Sequence, residues 1–179
     1  DAVIIDELPA KAIVEKNPDL EILDIKLTEE SYSIAVKKGN TELLNSINET
    51  MERLKSSGEY ETLVNAFMPA DGNIIVPQDI ELSGKKVLRV GTNVPFTPFE
   101  FLQGDKIVGF DISMSQNIAK DFDAKLEVVN MDFNALITAL DAEAVDFVAA
   151  GLSVTEEHKK YVDFSQPYYT SSQVIIVKK

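Results

Sequence analysis

The spacing of apolar positions changes several times along this chain, and each change marks an element. Residues 2–6 are a short apolar run ending in an acid, the pattern of a buried parallel strand. Pro9 suits the first turn of a helix reaching about Lys16, and Asn17-Pro18 ends it. Leu20–Leu23 and Tyr32–Val36 read as further strands. Gly39-Asn40-Thr41 is a turn and cap before a helix that carries Leu43, Leu44, Ile47, Met51 and Leu54 at helical spacing. Ser57-Gly58 stops it, and Tyr60, Leu63, Val64 and Phe67 outline a second helix.

From Pro69 to Lys86 the pattern loosens into a polar stretch punctuated by Pro69, Gly72, Pro77 and Gly84, which reads as a linker whose Ile74, Ile75 and Val76 pack somewhere. Regular spacing returns with a strand at Val87–Gly91 and a proline-rich loop through Phe96 and Pro98. A hairpin folds about Gly104-Asp105. Asp111 is expected to cap a helix to about Phe122, and Asp132 a helix through Leu140. Strands at Leu126–Val129, Val145–Ala149 and Gln173–Val177, with a short helix at Thr155–Lys160, complete an alternation of strands and helices. That alternation predicts an α/β fold with a mainly parallel sheet flanked by helices. The segments beginning at Asp1 and at Asp146 echo each other as strand, loop and short helix, which fits two lobes of similar build.

Charge then narrows the function. The chain has 179 residues and a formal net charge of -13, which excludes the clustered Lys and Arg that nucleic acid or an anionic membrane surface requires. Cysteine is absent and His158 is the single histidine, which removes thiol chemistry, Cys-zinc sites and histidine-rich metal sites. No cofactor or metal is expected. No apolar run approaches the roughly 20 residues that span a bilayer. The chain begins at Asp1 without an initiator Met or a signal peptide and reads as an excerpt.

Three constellations carry candidate chemistry. The segment Gly91–Glu100 ends a strand in a loop held by two prolines, displaying Asn93 and Phe96, and ligands of open α/β sheets bind beyond the carboxyl ends of strands. Phe99 in the same loop reads as core. The segment Ala149–His158 places the small residues Ala150 and Gly151 at a strand end, with Ser153 beside them and Thr155 capping the helix that holds His158. That segment is either a tight turn or a carboxylate site. Asp6, at the end of the first strand, either holds an ammonium group or caps the helix that follows. An enzymatic reading with His158 or Glu157 as the acid lacks a partner base, so the chain is not expected to be an enzyme.

Taken together, these motifs resemble the polar amino-acid family of type II periplasmic solute-binding proteins, which have two lobes and two crossover strands. The resemblance is carried by Phe96-Thr97-Pro98-Phe99-Glu100, Gly109-Phe110-Asp111, Met131-Asp132-Phe133, Ala150-Gly151 through Glu157, and Val162-Asp163-Phe164-Ser165 through Tyr169. Residues 87–179 resemble the start of the mature family sequence. Asp1–Phe67, with Asp1–Asp6, Tyr32–Val36 and Gly58-Glu59-Tyr60, resemble its C-terminal part. The blocks are therefore in permuted order, and part of the second lobe is missing between them. A tandem junction, a permutation and a split protein each account for that order.

The expected division follows from the resemblance: residues 1–36 as a remnant of the second lobe with a crossover strand, 37–68 as C-terminal helices on the first lobe, 69–86 as linker, and 87–179 as the first lobe. The implied ligand site joins Asn93, Phe96, Phe133, Ala150, Gly151, Ser153, His158 and Asp6. Phe96 and Phe133 would sandwich the ligand, and Asp6 would hold its ammonium group. His158 stands where the family carries an arginine for the α-carboxylate, and a histidine cannot supply that bidentate fork. The implied function is binding of a polar amino acid, glutamine-like or another, for an ABC transporter permease, in the periplasm or outside the cell, with or without a membrane tether in the full-length protein. The alternative is a rearranged chain that folds, as a domain-swapped homodimer, without binding a ligand.

Overall fold

The computed structural model describes residues 2–25 and 27–179; Asp1, the first residue of the Asp1–Asp6 motif, lies outside them. Two sheets organise the chain. The larger has five strands, taken across the sheet as β10 (Val162–Phe164), β4 (Ala35–Lys37), β9 (Phe147–Val148), β5 (Lys86–Thr92) and β8 (Ala124–Asn130). Only β5 pairs in parallel, with β8 and β9; β4 runs antiparallel to both of its neighbours. The expectation of a mainly parallel sheet therefore holds for its β9–β5–β8 half alone. The reason is that β4 comes from a distant segment and enters from the opposite end.

Helices cover one face of this sheet. The stripe Leu43, Ile47, Met51 and Leu54 of α2 (Thr41–Ser57) buries against α4 (Phe110–Asp121), which contributes Phe110, Met114 and Ile118; α3 (Glu59–Phe67) adds Leu63 and Phe67. Asn40 caps α2 by accepting from the Leu43 N–H, and Gly58, at φ 81°, ends it. Arg53 ties α2 to α4 through Asp121 (2.8 Å) and Asn117 (3.2 Å). On the other face, Leu136 and Leu140 of α5 (Leu136–Asp141) pack with Val145, Val148, Leu152 and Val162. Residues 69–85 form no regular element; Ile74, Val76 and Leu82 pack against the main core, whereas Ile75, expected to pack with Ile74 and Val76, points outward and is 74% exposed.

The smaller sheet is antiparallel. Its long strand β11 (Tyr169–Lys178) pairs with β1 (Ala2–Asp6) and β2 (Leu20–Leu23) over its second half, and with β3 (Glu29–Tyr32) over its first. One helix, α1 (Glu7–Lys16), covers it, and the shared core is small: Ala10, Val174 and Ile176, with Ile5, Val14, Leu20 and Ile22 partly buried around them. Residues 2–6 were expected as a buried parallel strand. Instead β1 is an antiparallel edge with Val3 55% and Ile4 59% exposed, because one helix cannot cover both faces.

Three local expectations change for stated reasons. The strand expected over Tyr32–Val36 splits into β3 and β4, since the chain crosses from one sheet to the other at Ser33-Ile34, where the Ile34 N–H donates to Ser165 Oγ. Asp111 does not cap α4. Gly109 occupies that position at φ 145°, where an added Cβ would lie 2.0 Å from the Phe99 carbonyl oxygen, and Asp111 is fully buried inside the first turn. The echo between the segments at Asp1 and Asp146 also fails at this level. The first is a five-residue antiparallel strand followed by a ten-residue α-helix; the second is a two-residue strand, parallel to β5 and antiparallel to β4, followed by a single 3-10 turn.

Candidate functional site

Between the two sheets lies a cleft of about 420 Å³, and all eight residues singled out from the sequence line it: Asp6, Asn93, Phe96, Phe133, Ala150, Gly151, Ser153 and His158. Glu30, Glu100 and Leu152 line it as well.

One wall belongs to the larger sheet. The loop after β5 turns back on itself through the Phe96 N–H to Glu100 carbonyl bond (2.7 Å), and Phe96 stacks on buried Phe99 at 5.7 Å. Phe99 is core, as expected, and half-buried Phe96 faces the cleft. Asn93 donates from Nδ2 to the Met131 carbonyl (2.6 Å), which leaves its amide oxygen and its second amide hydrogen for a solute. Phe133 stays 40% exposed in the 3-10 turn Phe133–Ala135, which Asp132 caps by accepting from the Asn134 N–H (2.9 Å).

The floor is the loop after β9. Gly151 adopts φ 53°, and a Cβ there would come within 2.5 Å of Phe96 Cε1, so glycine is required both for the turn and for the aromatic wall. Its N–H donates to Asp111 Oδ2 (2.8 Å), and the Tyr168 hydroxyl donates to the same oxygen (2.8 Å). Ser153 gives its hydroxyl hydrogen to Glu30 Oε2. Thr155 caps the following turn by accepting from the His158 N–H (3.1 Å), as expected, although the turn is a 3-10 turn over His158–Lys160 and not an α-helix. The His158 ring places Nδ1 3.3 Å from the Ser153 carbonyl, a contact in which Nδ1 carries the hydrogen.

The facing wall belongs to the smaller sheet. Asp6 precedes α1 but makes no side-chain cap, which removes the capping alternative. Its Oδ2 accepts from the buried Tyr32 hydroxyl, while Oδ1 is buried without a hydrogen-bond partner. Burial pushes the Asp6 carboxyl above its ordinary range and the charge of Glu30 adds to this, while the Tyr32 bond opposes it. Beneath the floor, Glu100 and Asp111 are both buried, and Glu100 Oε2 and Asp111 Oδ1 have no other hydrogen-bond partner, so two neighbouring acids in a desolvated site favour keeping a proton on one of them. Burial and the neighbouring acid hold Glu100 well above the ordinary carboxyl range; burial raises Asp111 to about 6.

Glu30 was missed from the sequence. The signal that marks it is period two: it lies two residues before Tyr32 on β3 and so shares a face with the tyrosine that contacts Asp6. Among the described residues no group of three acidic or histidine side chains is arranged to hold a metal, and no helix is long and apolar enough to cross a membrane.

The model of bacterial extracellular solute-binding proteins, family 3, matches residues 88–179, just over half of the chain. The chain belongs to that family. It is a family of solute-binding proteins, not of enzymes. Over 97 residues the chain is 50% identical to the arginine-binding extracellular protein ArtP of Bacillus subtilis (strain 168), covering 54% of this chain and 38% of that one. It is 35% identical over 98 residues to the ABC transporter arginine-binding protein 1 of Escherichia coli (strain K12), covering 54% and 40%. A solved structure of an ancestral arginine-binding protein bound to glutamine matches 49% of this chain and 39% of its own, with 46% identity and a TM-score of 0.46. The chain thus spans about two fifths of the length of the curated relatives it matches.

Proposed function

We propose that this family member is a solute-binding module for a polar amino acid, delivering it to an ABC transporter permease in the periplasm or at the cell surface. The observation that carries the reading is the cleft itself. Eight residues from distant parts of the chain converge there, and Asp6 presents a buried acceptor with no partner. A primary ammonium group satisfies such an acceptor by a charge-assisted hydrogen bond, and the Phe96 and Phe133 rings would flank the rest of the solute. The names of the relatives above favour a cationic amino acid over a glutamine-like one.

We also propose the division read from the sequence: residues 1–36 as the remnant of a second lobe, 37–68 as helices completing the first lobe, 69–86 as linker and 87–179 as the body of that lobe. It is supported by the position of β4 between β9 and β10 and by the packing of α2 and α3 on α4.

A thermal-shift screen of the purified chain against the common amino acids tests the function, because a solute that binds only the folded state raises the melting temperature. A rise with arginine or another polar amino acid is expected. No shift with any of them would contradict the reading and favour a rearranged chain that folds, as a domain-swapped dimer, without binding solute.

A further inference from the structure

Glu30 lines the cleft beside Asp6, yet its side chain bonds a group of this chain that an amino acid would need. An α-amino acid carries its carboxylate on the same carbon as its ammonium, so an ammonium held at Asp6 leaves the carboxylate to find a donor close by. Among the described residues that line the cleft, Ser153 carries the single hydroxyl, and none is a lysine or arginine. That hydroxyl gives its hydrogen to Glu30 Oε2. The backbone holds the contact in place. The Ser33 N–H donates to the Leu152 carbonyl (3.1 Å) and the Val154 N–H to the Ser31 carbonyl (3.2 Å), so β3 and the loop after β9 are tied side by side next to Glu30 and Ser153. Glu30 and Asp6 are also near enough for their charges to interact.

We propose that Glu30 is a built-in rival of the solute: its carboxylate stands on Ser153 where the α-carboxylate of an amino acid would bind, and the solute has to displace it. The inference rests on the reading of the cleft as an amino-acid site and names the residue that limits its affinity. A hydroxyl has one hydrogen to give, so Ser153 cannot serve both carboxylates. A solute carboxylate brought there also meets Glu30 with no lysine or arginine to offset the two charges, and like charges set against each other oppose binding. Glutamine in place of Glu30 removes that repulsion and can turn its amide hydrogens toward the solute carboxylate. The ammonium end of the solute loses little, because Asp6 keeps its buried, unpartnered oxygen.

Calorimetric titration of the unaltered chain, Glu30→Gln and Glu30→Ala with L-arginine and L-histidine, each beside its α-carboxamide, tests the proposal. The carboxamides keep the ammonium and the side chain and lack the carboxylate charge. Both variants are expected to bind at least one of the amino acids about tenfold more tightly than the unaltered chain does, and its carboxamide no more than about threefold more tightly. Unchanged or weaker binding of the amino acids, or equal gains for an amino acid and its carboxamide, would overturn the proposal while leaving the solute-binding reading intact. Binding of none of the four compounds to any of the three chains, together with a flat thermal screen, would overturn that reading and the proposal with it. Glu30 is half-buried, so both variants are expected to fold, which thermal melting checks; either one alone suffices for the comparison.

Discussion

Asp6→Asn is expected to weaken solute binding by roughly 100-fold, in line with about 3 kcal/mol for truncating one partner of a buried charge-assisted pair. The reason lies in how Asp6 is held. It stands at the end of β1, where Tyr32 fixes one carboxylate oxygen and leaves the other buried and unpartnered. Asparagine keeps the shape and still accepts from the Tyr32 hydroxyl through its amide oxygen. Its amide nitrogen, however, presents hydrogens where a solute ammonium would have to bind. The substitution also removes a carboxyl that burial disfavours in its charged form, so stability should hold or rise. Loss of affinity with retained stability, followed by calorimetry and thermal melting on the same preparation, separates a role in binding from one in folding. Unchanged affinity would show that the ammonium sits elsewhere.

Glu100→Gln is expected to stabilise the chain, by an amount that grows with pH. A carboxyl whose folded pKa lies above its unfolded value holds its proton more tightly when folded. Its contribution to stability is therefore full below the unfolded value of 4.5 and is lost as pH rises toward the folded one. Each pH unit in that window costs about 1.4 kcal/mol. Asp111, raised to about 6 from an ordinary 3.8, works in the same direction over the lower part of the range. Glutamine replaces the carboxyl proton with an amide hydrogen facing Asp111 and has nothing to titrate. Urea unfolding of both proteins should give similar midpoints near about pH 4.5 and a clear advantage for the variant near about pH 7.5. Equal pH profiles would mean that Glu100 folds as a carboxylate.

The parts of this fold that local pattern can encode were legible in the sequence. The α2 stripe from Leu43 to Leu54, the Gly58 stop, the hairpin at Gly104-Asp105 and the Asp132 cap each depend on residues within a few positions of one another. The partners of a strand do not. Nothing in Ala35–Lys37 reveals that it inserts antiparallel between β9 and β10, and the apolar run at residues 2–6 reads the same whether a second layer covers it or not. Of the candidate site, Phe96, Ala150 and Gly151 at strand ends were visible because position along the strand gives them away, whereas Phe133, in the 3-10 turn after β8, was reached only through the family resemblance. Glu30 was not visible, since its importance comes from meeting Ser153, which is 123 residues away. Asp111 was read as a helix cap because an acid near a helix start is normally that, whereas the glycine two residues earlier already served and freed the acid to brace Gly151.

The central claim is that a solute ammonium enters the cleft between Asp6 and the Phe96 wall. Mapping amide resonances of the isotopically labelled chain during titration with L-arginine and L-histidine tests it most directly. The account predicts that the largest shifts for at least one of the two fall on Asp6, Phe96, Gly151 and Ser153. Shifts confined to other surfaces, or none with either compound at saturating concentration, would contradict it.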